Sequence, residues 1–462
     1  MNVPSAGRLE ADRLEIGVRK EEVTRYCARR WSGDWTVSTA SKRTGTSALI
    51  AVWLALSGCA AHRQVLTDAQ LEERAAADSA QHDEAVKASV EKMFQRLSQR
   101  AQSASASEPL TLNILAISGG GDYGAFGAGV LVGWGQKPDS AWRRPDFDMV
   151  TGVSAGGITT PFAYIGSDET CLRIESFFRN PRKDWIEERG LLFFAPSNLS
   201  LLRIPGIELD VKTIVDRAFV EQMAAQSKAG KVLVISATNL DLERRRAWSV
   251  GIEAETAVKT GELDRVHKIM LASSAIPVAF PPVEIDGFLY VDGGVTANLF
   301  LRLAPRDPNS MIQRWKRAYP DKPFPRLRYW IIVNNWLTPP PKTVQPTWPA
   351  ILAPTESTMV RSATHTEAQW LAAEADYVNS LEGFDIEIRV IAIPESWRPP
   401  VPGDFKKETM DSLADLGRKM GADPASWQLW ASPRRPQSAQ GHPHRRIDRY
   451  RSQVPHRHRR AS

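Results

Sequence analysis

Three short loops hold the residues most able to do chemistry. Gly152-Val153-Ser154-Ala155-Gly156 sets a serine between two glycines, after an apolar run and before a helical pattern. A hydroxyl exposed on such a sharp strand-to-helix turn can act as a nucleophile, and the glycines let neighbouring backbone approach it. Val291-Asp292-Gly293-Gly294 places a carboxylate where an apolar strand gives way to a turn. Desolvation would lift that carboxyl above its usual pKa of about 3.9 and fit it to accept the serine proton directly. Gly119-Gly120-Gly121-Asp122-Tyr123-Gly124 follows the apolar run Leu112–Ser118 and opens a helical pattern. Its backbone N–H groups beside a helix start suit an anion. As Gly119-x-Gly121-x-x-Gly124 it fits a dinucleotide fingerprint; as a triple-glycine turn it fits an oxyanion hole. The loop alone leaves both open.

A serine triad also needs a histidine, and residues 110–430 contain only His267 and His365. His267 falls on a helical pattern and His365 on a polar helical face, so both read as structural or solvated. A serine–carboxylate pair without histidine is the better account.

The elements that must position these loops follow from the hydrophobic pattern. Strands are expected at 112–118, 147–152, 232–237, 247–251, 284–291, 329–335 and 385–393. Helices fit at 124–134, 155–165, 208–226, 265–275, 306–318, 356–381 and 405–420. Strands alternating with helices predict a mainly parallel sheet covered on both faces.

Both ends of the chain differ from this body. Ser41-Lys42-Arg43, the apolar stretch Ser47–Leu56 and then Ser57-Gly58-Cys59 read as a secretory signal, too short to span a bilayer. Leu56-Ser57-Gly58-Cys59 resembles the lipobox of bacterial lipoproteins, which implies cleavage before Cys59 and a lipid on that cysteine. About forty residues precede the signal, and a start near Val37 would give it an ordinary length. Residues 67–99 form a polar helical pattern followed by the Ser/Ala stretch Gln102–Ser107, which reads as a tether. Residues 431–462 carry nine Arg and one Asp with no apolar periodicity, a basic tail. The formal charge of +6 is held by the ends, so the body is mildly acidic and offers no electrostatic case for nucleic acid. Three scattered cysteines, Cys27, Cys59 and Cys171, exclude a disulfide scaffold and the paired spacing of a zinc site.

Taken in order, Gly119–Gly124, Gly152–Gly156 and Asp292-Gly293 resemble the motifs of patatin-like phospholipases. The segment Ala272-Ser273-Ser274-Ala275-Ile276-Pro277 through Phe280-Pro281-Pro282 is similar to that family's approach to its aspartate. The resemblance covers about 112–300 and continues more loosely to about 420. It implies a three-layer α/β fold with a mainly parallel central sheet flanked by helices, a Ser154–Asp292 dyad, and no cofactor or metal. Gly119, Gly120 and Gly121 would form the oxyanion hole, with Gly124, Gly152, Gly156 and Gly293 as motif glycines. Many relatives place Arg or Lys where this chain has Tyr123, which weakens phosphate recognition by charge at that point. The resulting expectation is a lipid acyl hydrolase over 110–430, after an extension and signal (1–58) and a helical tether and linker (59–109), and before the tail (431–462). It would be lipid-anchored in a bacterial cell envelope, at the outer membrane, and act on membrane lipid or another acyl ester. A non-catalytic lipid-binding lipoprotein and a nucleotide-binding oxidoreductase are the alternatives.

Overall fold

The structure, a computed structural model, describes residues 63, 66–103, 110–136, 142–190, 198–299, 303, 305–381 and 383–430. Cys27, Cys59 and the basic tail lie outside the described residues, as do 104–109 of the expected linker. In chain order the first half runs α1 (Asp68–Ser103), β1 (Thr111–Ile117), α2 (Gly124–Gly135), β2 (Met149–Val153), α3 (Ala155–Ile165), α4 (Asp168–Arg179), the short strands β3 (Glu187–Glu188) and β4 (Leu202–Arg203), α5 (Pro205–Ile214) and α6 (Arg217–Lys228). The second half runs β5 (Val232–Asn239), β6 (Arg244–Ser249), α7 (Val250–Thr260), α8 (Asp264–Ser273), β7 (Val283–Ile285), β8 (Phe288–Val291), α9 (Met311–Ala318), β9 (Arg326–Trp336), α10 (Trp348–Asn379), β10 (Ile386–Ile393), α11 (Lys407–Gly421) and β11 (Gln428–Leu429).

Five parallel strands, in the order β10-β9-β1-β2-β5, make the centre of one sheet. Antiparallel strands extend it at both ends: β11 beside β10, and β6 and the β8–β7 hairpin beside β5. Alternate residues of β1 serve opposite faces. Leu115 and Ile117 join the core with α2–α8 and α11, whereas Leu112, Ile114 and Ala116 join the core with α1, α9 and α10. Apolar side chains on both faces of a strand are the mark of a sheet buried between helical layers. The three-layer α/β fold is thus present.

Register determines where the chemistry can sit. Ile117 pairs with Gly152 and, on its other side, with Ile332, while Val153 pairs with Ser236. The carboxyl ends of β9, β1, β2 and β5 therefore lie side by side, and loops leaving them share one crevice. Strand β8 runs the other way, with Val291 opposite Thr238, and so delivers Asp292 to the same edge.

Several expected boundaries shift for local reasons. The helix expected over 208–226 is two helices, because Asp216 caps α6 by accepting the Phe219 amide at 2.8 Å. The strand expected over 284–291 is a hairpin turning at Asp286 (φ 54°) and Gly287 (φ 77°), both left-handed as a two-residue hairpin turn requires. The strand expected over 247–251 ends at Ser249, where α7 begins. Helix α4 is absent from the expected elements.

The segment expected as a tether is docked from Asp68 onward. Met93 and Leu97 of α1 are buried, Ser89 bonds Ser249 at 2.9 Å, and Arg96 and Arg100 both pair with buried Asp148. On the opposite face, α2 and α11 touch backbone to backbone. A methyl group at Gly129 or Gly133 would collide with the carbonyls of Ala414 and Arg418, and one at Gly417 or Gly421 with those of Phe126 and Val130.

Candidate active site

Ser154 stands at the end of β2 as the residue before α3, with φ 55° and ψ −129°. A non-glycine residue rarely holds a positive φ, and such strain gathers at functional sites where surrounding structure enforces it. Here the enforcement is visible. The Ser154 amide donates to Ser273 Oγ at 2.9 Å, and Ser273 Oγ donates to the Ser236 carbonyl at 2.8 Å. A methyl at Gly152 or Gly156 would strike the Gly156 or Ile117 carbonyl region, so both flanking glycines are required by close backbone approach.

Asp292 follows β8 and meets Ser154, whose side chain hydrogen-bonds its carboxylate. Its Oδ1 also accepts the Gly294 amide at 2.7 Å. Its own amide donates to the Ala275 carbonyl at 2.8 Å, and Thr238 Oγ1 donates to its carbonyl at 3.0 Å. Ser154 and Asp292 are each 6% exposed. Burial pushes the Asp292 carboxyl up to about 7, against the bonds from Ser154 and Gly294 and with help from the Glu356 charge. A carboxyl in that range exchanges a proton near neutral pH, as a general base must.

The glycine loop passes beside them. A methyl at Gly119 would lie 2.8 Å from Ser154 Cβ. Asn334, buried just past the Ile332 pairing, shapes this loop from beneath: its backbone N–H donates to Ser118 Oγ at 2.9 Å, its Nδ2 donates to the Ser118 carbonyl at 2.9 Å, and its Oδ1 accepts the Gly127 amide at 2.9 Å. The Gly119 amide is already committed to Asn298 Oδ1 at 2.9 Å. Among the described residues no acceptor engages the amides of Gly120 or Gly121, so the free donors are narrower than the three expected. Gly121 has φ 58°, a conformation that suits glycine. Asn298 is held in turn: its Nδ2 donates to Thr364 Oγ1 at 2.7 Å, and Glu367 Oε2 accepts the Asn298 and Leu299 amides at 3.1 and 2.7 Å.

Ser154 opens onto an apolar slot lined by Ile158, Phe177, Phe178, Ile207, Leu271 and Phe280, among others. The slot meets a wider groove that shares Trp185, Ile276, Phe280 and Phe405 with it. His267 and His365 stand apart from the slot lining. His267 bonds the Val215 carbonyl at 2.8 Å, and His365 lies against Trp430. Tyr123 packs edge-on against Trp336 and Trp397, with ring centroids 5.4 and 5.7 Å away, so its ring is part of an aromatic cluster. Cys171 is a free buried thiol, pushed up by burial to about 11. Among the described residues no cluster of His, Cys, Asp and Glu could hold a metal ion, and no helix is long and apolar enough to cross a membrane.

The sequence reading missed Asn298, Asn334, Thr364 and Glu367, and it met Ser273 only inside the Ala272–Pro277 segment. Asn334 had a signal, a polar residue ending an otherwise apolar strand. Thr364 and Glu367 had none, since their role depends on how α10 packs.

A strained serine between a parallel strand and a helix, beside a carboxylate that follows β8 on the far side of β5, is the strand–turn–helix arrangement of a nucleophile-elbow type of α/β fold. Within that class, residues 115–305 match the family model of patatin-like phospholipases. Over 201 residues the chain is 26% identical to an uncharacterized protein of Acanthamoeba polyphaga mimivirus, a stretch that is 43% of this chain. The chain thereby spans 63% of the length of that relative. Among solved structures, that of VipD from Legionella pneumophila aligns over 70% of this chain and 68% of its own, at 10% identity and a TM-score of 0.31.

Proposed function

We propose that this protein is a lipid acyl hydrolase in which Ser154 is the nucleophile and Asp292 its base. The observation that carries the reading is the left-handed Ser154, hydrogen-bonded to a buried Asp292 at the mouth of an apolar slot. Ser154 Oγ attacks the acyl carbonyl while its proton passes to Asp292. The carbonyl oxygen, now negative, is met by the Gly120 and Gly121 amides, which lie ahead of α2. Asp292 then gives the proton to the departing alcohol, leaving the acyl group on Ser154. Water attacks that ester, Asp292 takes its proton, and the fatty acid leaves as Ser154 recovers its hydrogen. The apolar slot suits an acyl chain, and nothing in this sequence of steps calls for a cofactor.

Fluorophosphonate labelling and ester hydrolysis test the reading. The full chain should label and turn over, and Ser154→Ala should do neither while remaining folded. Failure of the parent to label would favour a lipid-binding protein without turnover. The cellular part of the proposal rests on the order of Ser41–Cys59: lipidation at Cys59 would hold the enzyme at a bacterial outer membrane. Cys59→Ala should then move the protein to the soluble fraction, and an unchanged membrane fraction would refute the anchor.

A further inference from the structure

Asp122 lies in the glycine loop, between Gly121 and Tyr123, yet takes no part in the proposed steps. Its side chain is only 5% exposed. One carboxylate oxygen accepts the Phe405 amide at 2.9 Å across 283 positions of sequence, and the carboxylate also meets the amides of Asp122 itself and Tyr123. Phe405 has φ 55°, a conformation that a bulky residue does not adopt without an external hold. Its ring lines both the Ser154 slot and the outer groove, lies 5.8 Å from the Phe280 ring, and would stand 3.8 Å from a methyl placed on Gly121. One carboxylate thus ties the amides facing the reacting carbonyl to the aromatic wall that an acyl chain would touch.

We infer that Asp122 is a positioning residue for acyl-chain selectivity: by holding the Phe405 amide it fixes the slot wall to the Gly120–Gly121 loop. The inference rests on the acyl hydrolase reading of Ser154. A chain long enough to reach Phe405 bears on a wall that is bonded to the oxyanion loop. A short chain covers less of that ring, which extends from the slot into the outer groove. Burial raises the Asp122 pKa to about 7, against the bond from the Phe405 amide and with a smaller push from the neighbouring Asp404 carboxylate, so the hold is made by a group kept at some electrostatic cost.

The test measures kcat and KM of the full chain on p-nitrophenyl esters from four to sixteen carbons, for the parent, Asp122→Ala, Phe405→Ala and the double variant. Asp122→Ala should lower kcat/KM at least tenfold on long esters, chiefly through KM, and less than threefold on the butyrate. In the Phe405→Ala background the same change should add little, because the wall it positions is already gone. Asp122→Asn keeps one acceptor oxygen and should give an intermediate profile. Equal losses at every chain length, or full additivity in the double variant, would overturn the inference. A second readout does not need turnover: calorimetric binding of laurate should weaken at least fivefold in Asp122→Ala, and unchanged binding would refute the role. Laurate binding that responds to Asp122 in a chain inert to every ester would sink the hydrolase reading and leave, of this inference, only the hold of Asp122 on the slot wall.

Discussion

Replacing Asp292 with Asn should abolish turnover and, at pH 8, make the protein more stable. The carboxyl is buried and its pKa stands at about 7 in the fold, whereas an unfolded chain returns it to about 3.9. The folded state therefore binds more protons between about pH 4 and 7, and its stability falls across that window as pH rises. At about 1.4 kcal/mol per pKa unit, the ionised carboxylate costs the fold about 4 kcal/mol at pH 8 and between about 1 and 2 kcal/mol at pH 5. Asparagine carries no charge, yet its Oδ1 can still accept the Gly294 amide. Urea unfolding of parent and Asp292→Asn at both pH values reads the difference directly. The expected gain is a few kcal/mol at pH 8, shrinking by more than half at pH 5. A variant less stable than the parent at pH 8, or a gain independent of pH, would refute the argument that burial of the charge sets this pKa.

The same raised carboxyl predicts that kcat/KM climbs with pH and levels off above an apparent pKa near 7, since the base must be ionised; a profile flat from pH 5 to 9 would count against Asp292 as base. Ser273→Ala removes the acceptor of the Ser154 amide and should lower kcat about tenfold with a stability loss of about 1 kcal/mol, compared by single-turnover kinetics and thermal melts. Gly120→Ala would drive a methyl into the Asn334 carbonyl, so activity and fluorophosphonate labelling should both be lost; normal labelling would show that the loop can yield.

The three chemical loops were legible in the sequence because each needs an unusual residue string: glycines where backbone must approach closely, and a serine or aspartate at a strand end. The parallel centre was legible too, because strands buried on both faces lose their polar alternation, as β1 and β5 do. What stayed hidden depends on partners far along the chain. The Gly119 amide looks available until Asn298 is placed beside it, and Asn298 is in place because Thr364 and Glu367 reach it from α10. The docking of α1 was hidden for a similar reason. Its polar surface is matched by Asp148, Arg246 and Ser249, residues no local pattern links to it.

The backbone contact between α2 and α11 has a mechanical consequence. Side chains in a normal helix interface can change rotamer and so absorb a small displacement, but two backbones in direct contact cannot. Helix α2 begins at Gly124, immediately after the glycine loop, and α11 begins two residues after Phe405. A displacement of α11 by an inserted side-chain group would pass almost undamped along α2. It would reach Gly120 and Gly121, the proposed oxyanion donors, a role in which a misplacement of about 0.5 Å already matters. The far C-terminal helix, more than a hundred residues beyond the 115–305 match, thus acts as a keel that keeps the Gly120 and Gly121 amides in trim.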